Sequence, residues 1–246
     1  MYRFAYIIPY FLIATIFVSC GEDPFCNCLQ PTGKTSSEHR TLAAFQKIEV
    51  SNNINVNIHI ANEHKAIVTC GKNLIDGVET EVEYGQLKIR NMNRCNWIRN
   101  PGNDFTVDIY TKELIEIVFR GGGNIQCIDT IKTKTFLAEN WDATGSLSLK
   151  LDCEESILKI HTGPSDIIAE GSTSYSYLYN TGNGYIRAGS LRSSYAEVFN
   201  RGTGDCFVHS NIRLIAKIKY LGDVFYTGQP DEIQKEISGS GQLIAY

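Results

Sequence analysis

Three aspartates are the residues whose type and spacing come nearest to doing chemistry. Asp166, Asp205 and Asp223 each follow a glycine turn, and Asp205 and Asp223 lie one repeat apart. Carboxylates stacked about 5 Å apart raise one another's pKa and serve some hydrolases as an acid and nucleophile pair. Asp also suits turns for a simpler reason, because its side chain hydrogen-bonds nearby backbone. Tyr185 interrupts the ladder, and no basic residue pattern accompanies it. The expectation is therefore no enzyme, with a polysaccharide-active β-helix using Asp205 and Asp223 as the alternative. The five histidines, His39, His59, His64, His161 and His209, are scattered. Only His59 and His64 are close in sequence, without the carboxylates a metal site would add, so no metal and no cofactor are expected. Gly121-Gly122-Gly123 precedes a strand pattern and no helix, which excludes a phosphate-binding loop. A net charge of −4 gives no electrostatic footprint for nucleic acid.

The 8 Cys divide by position. Residues 1–19 read as a secretory leader: Arg3 is the one early positive charge, and an apolar stretch runs from Phe4 to Val18. It is short for a bilayer span and ends on small residues. Phe17-Val18-Ser19-Cys20 resembles the lipobox of bacterial lipoproteins, in which the Cys is lipidated and becomes the mature N-terminus; Phe17 departs from the usual Leu. An ordinary leader with a coincidental Cys is the plainer alternative. Gly21-Glu22-Asp23 resembles the surface-export signal of Bacteroidetes-type lipoproteins. Residues 20–40, with Pro24, Pro31 and Gly33, read as a flexible tether. The expected place is thus the cell envelope, lipid-anchored at Cys20 to the outer membrane and facing outward. Cys26, Cys28, Cys70, Cys95 and Cys153 have no assignable connectivity, although Cys70 and Cys95 flank a hairpin-like segment and an exported location permits a bridge. Cys127 and Cys206 fall on apolar ladders and read as buried residues.

The elements that position these residues are strands. From residue 41 onward period-two alternation dominates: Ile54, Val56, Ile58 and Ile60 alternate with Asn55, Asn57 and His59. Over 120–246 a repeat appears. Asn124, Ser146, Asp166, Tyr185, Asp205, Asp223 and Gln242 each follow a glycine turn, and most of the 21 Gly lie in this half. The next residue is Ile125, Leu147, Ile167, Ile186, Cys206, Val224 and Leu243, apolar every time. Two further on stand Cys127, Leu149, Ala169, Ala188, Val208, Tyr226 and Ala245, again uncharged. Two such ladders mark the inward face of a strand. The fold class is all-β: a parallel β-helix of about seven coils with about 20 residues per coil. One domain, 41–246, is expected, with 41–119 as an N-terminal β region and 120–246 as the repeats.

The position between the ladders should face outward: Gln126, Ser148, Ile168, Arg187, Phe207, Phe225 and Ile244. Phe207, Phe225 and Ile244 would be a bare apolar strip unless the N-terminal region or another subunit covers them. A self-associating structural protein is therefore a further reading. Tyr175, Tyr177 and Tyr179 share one face, with Tyr179 expected beside Ile160 and Phe199. Inward they are packing; outward they are a platform for sugar rings or a partner, with Tyr177 and Tyr179 the candidate contacts. Packing is the reading preferred from sequence.

The body from 41 to 246 resembles the family described as putative auto-transporter adhesin, head GIN domain. Arg40-Thr-Leu-Ala-Ala-Phe45-Gln-Lys-Ile48-Glu-Val50 opens the match. Thr69-Cys-Gly-Lys-Asn73-Leu74, Glu79 to Ile89, Phe105 to Tyr110 and Leu114 to Ile117 continue it. The resemblance implies a secreted or lipid-anchored β-helix with adhesin-like, non-catalytic binding of glycan or protein, and it brings no catalytic residues. For 41–119 it is the main reason to expect the same fold.

Overall fold

The computed structural model describes residues 31–93 and 104–246. Its strands are β1 (Thr35–Thr41), β2 (Lys47–Asn53), β3 (Asn55–Ile60), β4 (Lys65–Gly71), β5 (Val78–Glu83), β6 (Gln86–Asn91), β7 (Thr106–Thr111), β8 (Glu116–Gly122) and β9 (Asn124–Cys127). There follow β10 (Ile131–Asn140), β11 (Ser146–Ile160), β12 (Asp166–Asn180), β13 (Ile186–Asn200) and β14 (Cys206–His209). The last are β15 (Arg213–Ile218), β16 (Val224–Thr227), β17 (Glu232–Ile237) and β18 (Leu243–Ala245). A short 3-10 turn (Lys72–Gly77) joins β4 to β5. Together they wind a β-solenoid of about 6 turns with roughly 20 residues per turn.

Two stacks of parallel strands carry the coils. In the first, β3, β9, the starts of β11, β12 and β13, then β14, β16 and β18 pair in succession. The register sets Val56, Ile125, Leu147, Ile167, Ile186, Cys206, Val224 and Leu243 opposite one another in turn. This is the first apolar ladder of the repeat, extended one coil toward the N-terminus by Val56. The second stack runs β6, β2, β8, then the ends of β10 to β13, β15 and β17. Residues 41–119 therefore belong to the solenoid, since β2 pairs parallel with β8 and β3 with β9.

Burial explains the stacking. Ile125, Leu147, Ile167, Ile186, Cys206 and Val224 lose essentially all contact with water, as do Leu158, Leu178 and Val198 in the second stack. Each buried aliphatic side chain contributes about 1.5–3 kcal/mol, and no single coil could bury its own face. Buried Asn180 and Asn200 sit where the chain leaves the second stack. Each donates through Nδ2 to Gly204 O, at 3.1 and 3.0 Å, and each accepts through Oδ1 from the amide two residues on. One side chain thus satisfies turn groups within and between coils, as buried backbone requires.

The N-terminal end departs from the coil pattern. β1 pairs antiparallel with β4, β4 with β7, and β5 with β6. Thr35–Thr41, expected to close the tether, is instead an edge strand. Arg40 fastens it by donating to Val78 O, to Ile75 O at 3.1 Å and to Thr80 Oγ1 at 3.2 Å, while pairing with Glu38 at 2.9 Å. The rest of the expected leader and tether up to residue 30, including Cys20, Cys26 and Cys28, lies outside the described residues, as does Cys95.

Candidate functional site

The aspartates are spent on the backbone. Asp166 Oδ1 accepts from Tyr185 N at 2.8 Å, Asp205 Oδ1 from Asp223 N at 2.8 Å, and Asp223 Oδ1 from Gln242 N at 2.7 Å. Every one caps the first amide of the corresponding strand in the next coil. Among the described residues the ion pair these carboxylates make is Arg187 to Asp166, a loose 3.6 Å contact. The turn role accounts for their spacing.

The tyrosines point outward. Ser176, Leu178 and Asn180 are buried between them, whereas Tyr175, Tyr177 and Tyr179 are half-exposed. The packing reading preferred from sequence is thus corrected, because Leu158, Leu178 and Val198 take the inward ladder. Register also places Tyr179 beside Lys159 rather than Ile160, with Phe199 on its other side as expected. The pairing of β12 with β13 shifts by one residue at an irregularity between Ile168 and Glu170, ahead of the tyrosines in the same strand.

Two kinds of ring occupy this outer face. Trp141 and His161 stack at 3.7 Å and 10°, and Tyr179 and Phe199 stack at 5.3 Å and 10°. His161 leans on Tyr179 at 5.6 Å, and the Arg120 guanidinium lies 5.4 Å from the Trp141 ring. Rings stacked from coil to coil turn their faces to each other and their edges to solvent, so this ladder mainly holds coils together. Tyr175, Tyr177 and Tyr195 stack on no other ring among the described residues. They flank an outward row in which Leu137, Ile157, Tyr177, Glu197 and Ile215 follow one another from coil to coil. Charge on this face is largely internal: Lys159 binds Glu139 at 3.1 Å and Lys217 binds Glu197 at 2.9 Å. Tyr175 donates to Glu197 Oε2 at 3.3 Å, and burial, then the Glu197 charge, pushes its phenol up to about 12. The Tyr179–Phe199 stack is legible in the sequence, whereas its continuation through His161 to Trp141 is not, although the near-regular spacing is a signal for it.

Phe207, Phe225 and Ile244 do face outward on successive coils, paired by register. Phe207 and Phe225 stack at 4.9 Å and 9°. Tyr246, the last residue, sets its ring edge-on to both at 5.8 and 6.0 Å, and Arg187 lies 5.3 Å from the Phe207 ring. Part of the cover over the two phenylalanines thus comes from within the chain.

His59 and His209 have packing and backbone partners. His59 stacks on Tyr110 at 4.6 Å, and His209 Nδ1 accepts from Ser193 N at 3.1 Å. Among the described residues no group of three or more His, Cys, Asp or Glu is placed to hold a metal ion. Cys127 and Cys206 are buried, and burial pushes both thiols up, Cys127 to about 12. Cys70 is also a buried free thiol, raised to about 11 by burial, and Cys153 is half-buried. No helix among the described residues is long and apolar enough to cross a membrane.

Residues 44–230 match the model of the family described as putative auto-transporter adhesin, head GIN domain. The chain belongs to that family. Solved structures with this head GIN-like fold include a putative adhesin from Bacteroides fragilis NCTC 9343, with a TM-score of 0.80 at 19% identity, covering 89% of this chain and 100% of that one. A putative adhesin from Parabacteroides distasonis ATCC 8503 has a TM-score of 0.68 at 20% identity, over 87% of this chain and 98% of that one. A protein from the same organism titled putative lipid binding protein has a TM-score of 0.65 at 19% identity, over 87% and 97%. At these identities the likeness is one of fold. No curated protein matches this chain.

Proposed function

We propose that this head GIN domain protein is a non-catalytic surface adhesin that binds a partner protein through the outer face of its second strand stack. The observation that carries the reading is the outward row Leu137, Ile157, Tyr177, Glu197 and Ile215, flanked by Tyr175 and by Tyr195, which is 45% exposed. A solvated sheet face is polar, whereas this row is aliphatic or tyrosine at every position but Glu197, whose charge is met by Lys217 at 2.9 Å. Tyrosine with aliphatic neighbours and few uncompensated charges is the composition of an interface core. Aliphatic side chains give a sugar nothing to hydrogen-bond, so a protein surface fits the row better than a glycan. The adhesin family supports the same reading, and the capping roles of Asp205 and Asp223 support binding without catalysis. Lipid attachment at Cys20, holding the domain to the outer membrane by its N-terminus, belongs to the same proposal.

Binding of the fluorescently labelled full chain to target cells tests the contact surface. Pretreating the cells with protease should abolish binding, pretreatment with glycosidases should leave it, and the triple change Tyr175→Ser, Tyr177→Ser, Tyr195→Ser should weaken it at least tenfold. Unchanged binding by the triple variant overturns the assignment, and loss only after glycosidase treatment transfers it to a glycan. For the anchor, Cys20→Ser should end incorporation of labelled palmitate; continued labelling refutes it.

A further inference from the structure

A second recognition site lies at the N-terminal end of the solenoid, away from the tyrosine row. The residues leading into β2, the β3–β4 and β7–β8 links and the tip of the β5–β6 hairpin enclose a cavity of about 450 Å³. Phe45, Gln46, His64, Tyr84, Lys112 and Glu113 line it.

Tyr84 is the residue that folding does not explain. It is 106% exposed, and it has φ 50° with φ 75° at Gly85, so two successive residues occupy the left-handed region. A two-residue hairpin turn of this kind favours Asn-Gly or Asp-Gly, and a bulky aromatic there is strained. Tyr84 gains no packing in return. Around it the polar groups are partly engaged with each other and partly open. Gln46 Nε2 donates to Glu113 Oε2 at 2.7 Å, leaving the other carboxylate oxygen to accept. His64 sets its ring edge-on to Phe45 at 5.4 Å and holds Nδ1 3.4 Å from Thr111 Oγ1. The other ring nitrogen of His64 and the Lys112 ammonium have no partner among the described residues.

From this arrangement we infer that the cavity is a binding site for a pyranose sugar, with Tyr84 stacking on the C–H face of the ring. The volume lies in the range of small-ligand sites and suits one or two sugar rings. Hydroxyl groups both donate and accept. Glu113 and Gln46 offer acceptors and Lys112 offers donors, while the open ring nitrogen of His64 accepts or donates according to its tautomer. Two lysines line the cavity, but Lys47 is paired with Glu116 at 2.8 Å and Lys112 stands beside Glu113, so little excess charge is left, which favours a neutral polyol over a phosphate. An unstacked ring face with hydrogen-bonding groups at its edge is what a sugar needs and what the coil-to-coil stacks lack. The site does not depend on the tyrosine row, and each can fail without the other.

Saturation-transfer NMR on the full chain, with a panel of methyl glycosides of hexoses and N-acetylhexosamines as probes, tests it. At least one glycoside should receive saturation. Tyr84→Asn, which gives the turn a residue it prefers, should weaken that binding about tenfold while leaving the melting temperature unchanged or higher. Tyr84→Phe should retain binding, Glu113→Gln should reduce it, and Tyr177→Ser should leave it untouched. The assignment is overturned if no glycoside receives saturation, or if transfer persists undiminished in Tyr84→Asn.

Discussion

The solenoid's close stacking makes one substitution, Gly204→Ala, a sharp probe of why glycine recurs at the turns. A Cβ on Gly204 would stand 1.9 Å from Gly184 O and 2.6 Å from Gly184 C, both main-chain atoms of the preceding coil. A backbone carbonyl held in a turn cannot swing aside as a side chain would, so the coils must part locally. Overpacking of this kind costs about 1–3 kcal/mol. Moving Gly204 also disturbs its carbonyl, which accepts from both Asn180 and Asn200. Losing two buried hydrogen bonds adds about 1 kcal/mol each. The reduced freedom of the unfolded chain returns about 0.4–1 kcal/mol. The net expectation is a loss of about 3 kcal/mol, and two comparison sites isolate its cause. Gly85 has nothing within 4 Å but sits at φ 75°, so Gly85→Ala should cost only the left-handed strain, about 1 kcal/mol. At Gly189 the first atom met is the Tyr246 hydroxyl at 2.2 Å, the free end of a side chain. Gly189→Ala should displace that ring and change stability by no more than about 0.5 kcal/mol. Urea unfolding followed by circular dichroism measures all three. Gly204→Ala should lower the midpoint by about 1 M or more, and a split transition would mean that the C-terminal coils open first. If Gly204→Ala proves no worse than Gly85→Ala, close approach between coils is not why glycine is there.

Three further outcomes follow from named contacts. Asp205→Asn keeps an acceptor for the Asp223 amide and should be nearly neutral, whereas Asp205→Ala should cost about 1 kcal/mol in the same urea assay; equal effects of the two would remove the capping role. Glu139 is pushed up by burial, but hydrogen bonds from Lys159 and His161, with the Lys159 charge, outweigh this and leave its pKa lowered from 4.5. A lowered folded-state pKa means stability present above about pH 4.5 and lost as pH falls through the folded value, so acid melts should show a steeper decline below pH 4.5 in the natural chain than in Glu139→Gln. The thiols of Cys70, Cys127 and Cys206, buried and raised, should resist iodoacetamide at pH 8 until the chain unfolds, with half-buried Cys153 labelled first; rapid native labelling of Cys127 or Cys206 would contradict their placement.

The repeats could be read because two physical rules coincide in them. Alternation fixed which residues share a face, and recurrent close approach demanded glycine, so Ile125 to Leu243 aligned in the register the strands adopt. The second stack was harder because both faces are apolar: Leu178 and Val198 compete with Tyr177, Tyr179 and Phe199, and only packing decides which enters the core. β1 escaped because an edge strand needs no apolar face; Thr35 to Thr41 alternates polar with polar and is held by hydrogen bonds and Arg40. The contact over Phe207 and Phe225 comes from Tyr246, two residues past Ile244 and outside the aligned ladder positions, so the repeat does not announce it. Tyr84 carried a signal, an aromatic before a turn glycine, but its meaning appeared only when His64, Glu113 and Phe45 gathered around it.

The direction of the hydrogen bonds has a mechanical consequence. In the coils they run along the solenoid axis, so tension between the two ends loads them one row at a time rather than all together. Each coil released would lengthen the chain by about 70 Å, the extended reach of about 20 residues. The Arg40 clamp on Val78, Ile75 and Thr80 guards the end where such peeling would begin. Beyond that latch the molecule is built to yield in steps, lengthening under load while the coils not yet reached keep their shape.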